Sequence, residues 1–227
     1  IRHRLPTPPQ IKSMLDIGNL TDISMEAGAF VFDAFGVLNV GDCLIEGVDK
    51  RLNQLRRQGC EIRILTNAAS YDRTRALEKF DRLGIAIEDA EIITSRDATL
   101  AALTESHWGV ITDNDDELSD IKYPHTRLGP NAAEYDAVDG FLFLSSSNWS
   151  KQKQELLEAT LISHARPVLV ANADLVAPRE TGFSLEPGFY GHLLLDRGIT
   201  DIRFFGKPFP EVYKLVRDSL PQLNANE

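Results

Sequence analysis

The feature that most constrains this chain is a short apolar run that ends on an acid. Ala29-Phe30-Val31-Phe32 leads directly into Asp33, and glycines follow at 36 and 41. An apolar, aromatic run closed by turn residues describes a buried strand with a carboxylate at its C-terminal end. Residues 46–58 then place Val48, Leu52 and Leu55 at i, i+4 and i+7, with Lys50, Arg51, Arg56 and Arg57 at other positions. That is an amphipathic helix, stopped by Gly59. A second strand over 60–65 runs into Thr66-Asn67. A helix over 72–83 carries Leu77, Phe80 and Leu83 and ends at Gly84, and a third short strand covers 91–94. This alternation predicts an α/β fold with a parallel, helix-covered sheet whose strand C-termini share one edge. Ligands of open α/β sheets bind along that edge, where Asp33 and Thr66-Asn67 both fall.

The middle of the chain has a different texture. Strands are expected over 109–112, 140–144 and 166–171, and helices over 99–104, 151–164 and 187–197. Residues 112–117, 124–134 and 145–150 read as polar loops. A last strand over 202–205 meets Gly206-Lys207-Pro208. Residues 210–219 then read as a helix with Val212, Leu215 and Val216 on its apolar side. Trp108, Phe141 and Phe143 read as core of this middle region rather than as a stacking platform for bases. Asp113 to Glu117 lacks the glycine and terminal glutamate of a calcium loop and reads as a solvated segment. The histidines at 3, 107, 125, 164 and 192 show no ligand spacing and read as structural or surface residues.

Composition narrows the function classes. The 227 residues carry 34 acidic against 24 basic side chains, a formal charge of −10, which argues against a general grip on nucleic acid or an anionic membrane. No apolar run approaches the roughly 18–20 residues of a membrane helix. Residues 1–10 hold Pro6, Pro8 and Pro9 and no apolar leader segment, so a cytoplasmic location is the expectation. Cys43 and Cys60 fit two free thiols in a reducing compartment and suggest no zinc site.

Three positions carry the chemistry. A carboxylate at a strand end, as at Asp33, can attack a phosphoryl group and form an aspartyl phosphate, or simply cap a turn. Thr66 and Asn67 offer a hydroxyl and an amide to phosphate oxygens. Lys207, beside a glycine and a proline at a helix start, can neutralise a dianion in the transition state.

Taken together, Asp33-Ala34-Phe35-Gly36-Val37-Leu38, Leu65-Thr66-Asn67 and Gly206-Lys207-Pro208 resemble the first three motifs of the haloacid dehalogenase superfamily. Asp33 and Thr66 are 33 positions apart, room for one helix and one strand. Thr66 and Lys207 are 141 apart, so a second domain is inserted between them. That order resembles the class IIA, NagD-like phosphatases. Ile93-Thr94-Ser95, Asn172-Ala173-Asp174, Glu186-Pro187-Gly188 and the extension Phe209-Pro210-Glu211 add to the likeness.

The resemblance implies a Rossmann-like core, 1–96 plus 200–227, and an inserted α/β cap, 97–199. It implies Asp33 as nucleophile, Thr66 as a phosphate ligand and Lys207 as the cation pairing both. It further implies Mg²⁺ held by Asp33 and the backbone carbonyl of Phe35, and a cap that selects the substrate. Asn67, Ala68, Asn172 and Asp174 are the candidates for facing it. The implied substrate is a small phosphorylated metabolite, a sugar phosphate or a nucleotide-like compound, and the implied assembly is a homodimer through the cap. Two departures stand out. The family's second acid, which protonates the leaving group, is replaced here by Phe35, and such help is worth about 10²–10⁴-fold. The family's fourth, acidic motif is also missing, only 20 residues follow Lys207, and the expectation is a core that continues beyond Glu227. The rival readings are a degenerate family member that binds a phosphorylated ligand without turnover, and a 2-haloacid dehalogenase.

Overall fold

The computed structural model describes residues 1–8, 10, 14–179 and 182–221. Pro9 and the last six residues of the segment assigned to the core lie outside that range. The chain divides into two compact units, one formed by residues 1–66, 75–93 and 213 onward, the other by 67–74 and 94–212.

In the first unit, β1 (Ala29–Phe32) is followed by a small hairpin of β2 (Asn39–Val40) and β3 (Cys43–Leu44). Then come α1 (Val48–Arg57), β4 (Glu61–Thr66), α2 (Arg73–Arg82) and β5 (Ile92–Thr94). The sheet order is β1-β4-β5, with β1 and β4 parallel and Phe32 opposite Ile64. Residues Ile62 to Leu65 are buried, as a central parallel strand requires. Leu52 and Leu55 of α1 and Phe80 of α2 pack with Phe30, Ile62 and Ile64 in one core. Gly59, at φ +83°, ends α1 in the left-handed region, which lets the Cys60 N–H return to the Leu55 carbonyl at 3.1 Å. The strands and helices expected in this unit are present in order, with ends moved by one or two residues, while the β2–β3 hairpin falls where only turns are expected.

The second unit opens with α3 (Ser95–Leu100) and is built on a five-stranded sheet. Its strands are β6 (Trp108–Ile111), β7 (His125–Arg127), β8 (Gly140–Phe143), β9 (Val168–Val170) and β12 (Ile202–Phe204). All four pairings are parallel, in the order β12-β9-β8-β6-β7. The helices are α4 (Ala132–Asp136), α5 (Lys151–Ser163) and α6 (Pro187–Asp196). An antiparallel hairpin of β10 (Val176–Arg179) and β11 (Gly182–Leu185) precedes α6. The last described element is α7 (Pro210–Ser219), which belongs to the first unit from residue 213 onward. Phe141, Phe143, Leu157, Val170, Leu194 and Phe204 form the core, and Trp108 is also buried, as expected for these aromatics.

Several expectations change. The helix expected over 99–104 lies at 95–100, because Thr94 caps it by accepting the Asp97 N–H, while Asp97 accepts the Thr94 N–H in return. The expected loop 124–134 contains β7 and the start of α4. The β10–β11 hairpin went unread because its strands are mostly exposed and interrupted by Pro178, so they show no apolar alternation. Residues 200–212, assigned from sequence to the core, belong to the second unit, since Ile202, Arg203 and Phe204 pair with Val168, Leu169 and Val170.

Candidate functional site

In the first unit, Asp33 directly follows β1 and Thr66 is the last residue of β4. With Phe32 opposite Ile64, both stand at the C-terminal edge of the parallel pair. Asp33 is exposed, and its Oδ1 accepts the Ala34 N–H at 2.7 Å. The chain then turns tightly. The Ala34 carbonyl accepts the N–H groups of Leu38 at 2.8 Å and Asn39 at 3.2 Å, and the Gly36 N–H donates to the Asn39 carbonyl at 2.7 Å. Phe35 is exposed, and its carbonyl accepts no hydrogen bond among the described residues.

In the second unit, the side chain of Asn67 organises the other candidates. Its Oδ1 accepts the Lys207 N–H at 2.6 Å. Its Nδ2 donates to the Lys207 carbonyl at 3.0 Å and to Asp174 Oδ1 at 2.9 Å. One N–H donor and one carbonyl on the same residue fix which end of the amide is oxygen. Gly206, at φ +98°, adopts a conformation side chains rarely take, and a Cβ there would sit 2.7 Å from Asn67 Oδ1. The network continues. Asn172 Oδ1 accepts the Asp174 N–H at 2.9 Å, and Asn172 Nδ2 donates to Glu186 Oε2 at 3.2 Å. Glu186 Oε1 also accepts from Arg179 and Ser184. The structure therefore brings together Asn67, Asn172, Asp174 and the backbone of Lys207. Ala68 is exposed beside Asn67, and Asp33 and Thr66 belong to the other unit.

One cluster escaped the sequence reading. Arg96 is fully buried and donates through Nε and Nη2 to both oxygens of Asp120, each at 2.7 Å. It donates to Asp116 at 2.7 and 3.1 Å, and to the Ala69 carbonyl at 3.1 Å. Asp116 also accepts the Thr112 hydroxyl at 2.7 Å. Asp116 is buried, contrary to the solvated loop expected over 113–117, because Arg96 compensates its charge. Burial pushes the Asp116 carboxyl up, but hydrogen bonds from Arg96 and Thr112 and the Arg96 charge outweigh it and hold it below the usual carboxylate range. Burial likewise disfavours the Arg96 cation, and the bonds to Asp120 and Asp116 overcome it and raise its pKa. No local pattern marks Arg96, since its partners lie 20 to 27 positions away.

Residues 30–117 match the family model described as haloacid dehalogenase-like hydrolase. The likeness to that family is carried by this stretch of the chain. Over 95 residues it is 33% identical to phosphoglycolate phosphatase 1A, chloroplastic, of Arabidopsis thaliana, a match spanning 42% of this chain and only 26% of that relative. Among solved structures, a 4-nitrophenylphosphatase from Thermotoga maritima superposes with a TM-score of 0.72 at 15% identity, covering 88% of this chain and 76% of that one. A glycerol phosphate phosphatase from Mycobacterium tuberculosis gives 0.70 at 18%, covering 87% and 58%. At 15% and 18% identity, these structural likenesses show that the fold is shared.

The family resemblance implies a divalent metal. Asp33 supplies a carboxylate and Phe35 a carbonyl without a hydrogen-bond donor, both hard oxygens. Among the described residues no group of three His, Cys, Asp or Glu side chains forms a metal cluster. The donors fit a cation that keeps several waters, as Mg²⁺ does, and not an all-protein cage. No helix of the described chain is long and apolar enough to cross a membrane.

Proposed function

We propose that this protein is a Mg²⁺-dependent phosphatase of a small phosphorylated metabolite, a sugar phosphate or a nucleotide-like compound. The observation that carries the reading is the Asn67 side chain, which grips both backbone polar groups of Lys207 across 140 positions. A carboxamide spent on aligning one lysine is expected where that lysine has a positional task.

In this reading Asp33 attacks phosphorus, the ester oxygen leaves, and water later cleaves the aspartyl phosphate. Thr66 donates its hydroxyl to a phosphate oxygen. Lys207 neutralises the growing charge on the phosphoryl oxygens. Asn67 keeps the Lys207 backbone in register, and Ala68, Asn172 and Asp174 face the substrate. Asp33 and the Phe35 carbonyl would hold Mg²⁺, which would offset the repulsion between the carboxylate and a dianionic phosphate. The inserted unit, acting as a cap, excludes water and selects the substrate. A cytoplasmic location and a homodimer through the cap belong to the same proposal.

Phe35 favours a second reading. No proton can come from a phenyl ring, so a protein that binds a phosphorylated ligand without turnover fits the same scaffold. One comparison separates the two. Wild-type full-length protein and Asp33→Asn are assayed for phosphate release with Mg²⁺ over a panel of phosphate monoesters. Turnover lost in Asp33→Asn, with the unfolding midpoint preserved, is the expected result. Ligand-induced stabilisation without phosphate release in wild type would establish the binding reading instead.

A further inference from the structure

The first turn of α3 holds the stretch from the end of β4 to the first residue of α2 at three points. Ser95 Oγ donates to the Asn67 carbonyl at 2.7 Å. Arg96 Nη1 donates to the Ala69 carbonyl at 3.1 Å. Asp97 pairs with Arg73 at 3.1 Å. Residues 95, 96 and 97 thus meet residues 67, 69 and 73 in the same order. Of the three, Arg96 has its further anchors beyond its own helix and cap, whereas Asp97 also pairs with the neighbouring Thr94. All remaining N–H groups of Arg96 go to Asp116 and Asp120, in the segment that follows β6.

A buried guanidinium with both carboxylates in place is a rigid part, because any displacement strands a charge in the interior. Its planar fork spans three acceptors at once, and an ammonium cannot reproduce that. The Ala69 carbonyl is therefore fixed relative to the five-stranded sheet through two strong charge-assisted contacts. Ala68 lies between two held carbonyls, those of Asn67 and Ala69.

We propose that Arg96 is a positioning residue: clamped by Asp116 and Asp120, its guanidinium sets the Asn67–Ala69 stretch and so the fit of the substrate. This rests on the phosphatase reading for its kinetic consequence, but not for its structural one. The second unit's sheet is thereby coupled to the loop that carries two of the substrate-facing candidates.

Arg96→Lys, Arg96→Met and Asp120→Asn in the full-length protein test it. Chymotryptic cleavage after Tyr71, which is 38% exposed, reads the loop, and tryptophan fluorescence reads the fold. p-Nitrophenyl phosphate gives kcat and KM per folded molecule. For folded Arg96→Lys, Tyr71 cleavage is expected to rise and kcat/KM to fall by about tenfold each, the scale of one charge-assisted hydrogen bond. If Arg96→Met does not fold, Asp120→Asn carries the test with a smaller change in the same direction, since Asp116 remains. Unchanged kcat, KM and Tyr71 cleavage in folded variants would overturn the proposal. So would a uniform rise in cleavage at every site, which is what a merely structural residue would give. Should wild type release no phosphate, the phosphatase reading fails, and Tyr71 cleavage alone then decides whether Arg96 sets the loop.

Discussion

Asn67 offers the sharpest test of how the second unit is held together. The residue is 6% exposed, and its side chain makes three hydrogen bonds: one with the Lys207 N–H, one with the Lys207 carbonyl and one with Asp174. At about 1 kcal/mol net for each bond, Asn67→Ala should cost about 3 kcal/mol. Asn67→Asp has nearly the same shape and is expected to be no better. It loses both donor contacts and turns a carboxylate oxygen toward the Lys207 carbonyl and the Asp174 carboxylate, at distances now 3.0 and 2.9 Å. Shape alone would rank the two variants the other way. Urea unfolding followed by fluorescence is the assay, because both tryptophans, Trp108 and Trp149, are buried in this unit. With an m-value of about 1–3 kcal/mol/M, the midpoint should drop by about 1–3 M. A midpoint for Asn67→Asp equal to wild type would refute the reasoning, since it would mean that the amide donors are not used.

Other outcomes follow from the same contacts. At Gly188 a Cβ would lie 2.3 Å from the Ala173 carbonyl oxygen, a backbone atom. Gly188→Ala should therefore destabilise by about 1–3 kcal/mol and disturb the Asn172–Asp174 turn; wild-type melting would contradict this. Arg96 and Thr112 hold the folded Asp116 carboxyl below its ordinary range despite the opposing effect of burial. Its stabilisation is complete above the unfolded value of about 3.9 and drains away as pH falls toward the lower folded value. Asp116→Asn should then be less stable than wild type at neutral pH, with a flatter melting profile between about pH 5 and 2; parallel profiles would count against the ion pair. On the phosphatase reading, Phe35→Asp supplies the missing proton donor. It should raise kcat on alkyl phosphates by about 10²-fold or more and on p-nitrophenyl phosphate much less. An equal change on both substrates would argue that leaving-group protonation is not the step Phe35 limits.

The sequence by itself determined the elements whose signals are local. The run Ala29–Phe32, the 3.6-residue periodicity of α1 and α2 and the glycines that stop them gave the first sheet and the edge on which Asp33 and Thr66 stand. The spacing from Thr66 to Lys207 raised the expectation of a second unit between them, whereas Lys207 itself falls within the second unit. Periodicity works there because one face of each element is buried and the pattern records it. What depended on contacts between distant positions was not written in any window. Strands β10 and β11 show no apolar alternation because little of either is buried. Strand β12 carries no mark of joining β9 rather than the first sheet; only the register of Ile202 opposite Val168 decides it. Asp116 looks like one acid among several in a polar run, and Arg96 like one helix residue among others. Only the fold brings them to 2.7 Å, and burial then turns a solvated charge into a paired one. The alignment of Lys207 by Asn67 belongs to the same class, a geometry made by tertiary packing from two motifs that the sequence shows only as separate words.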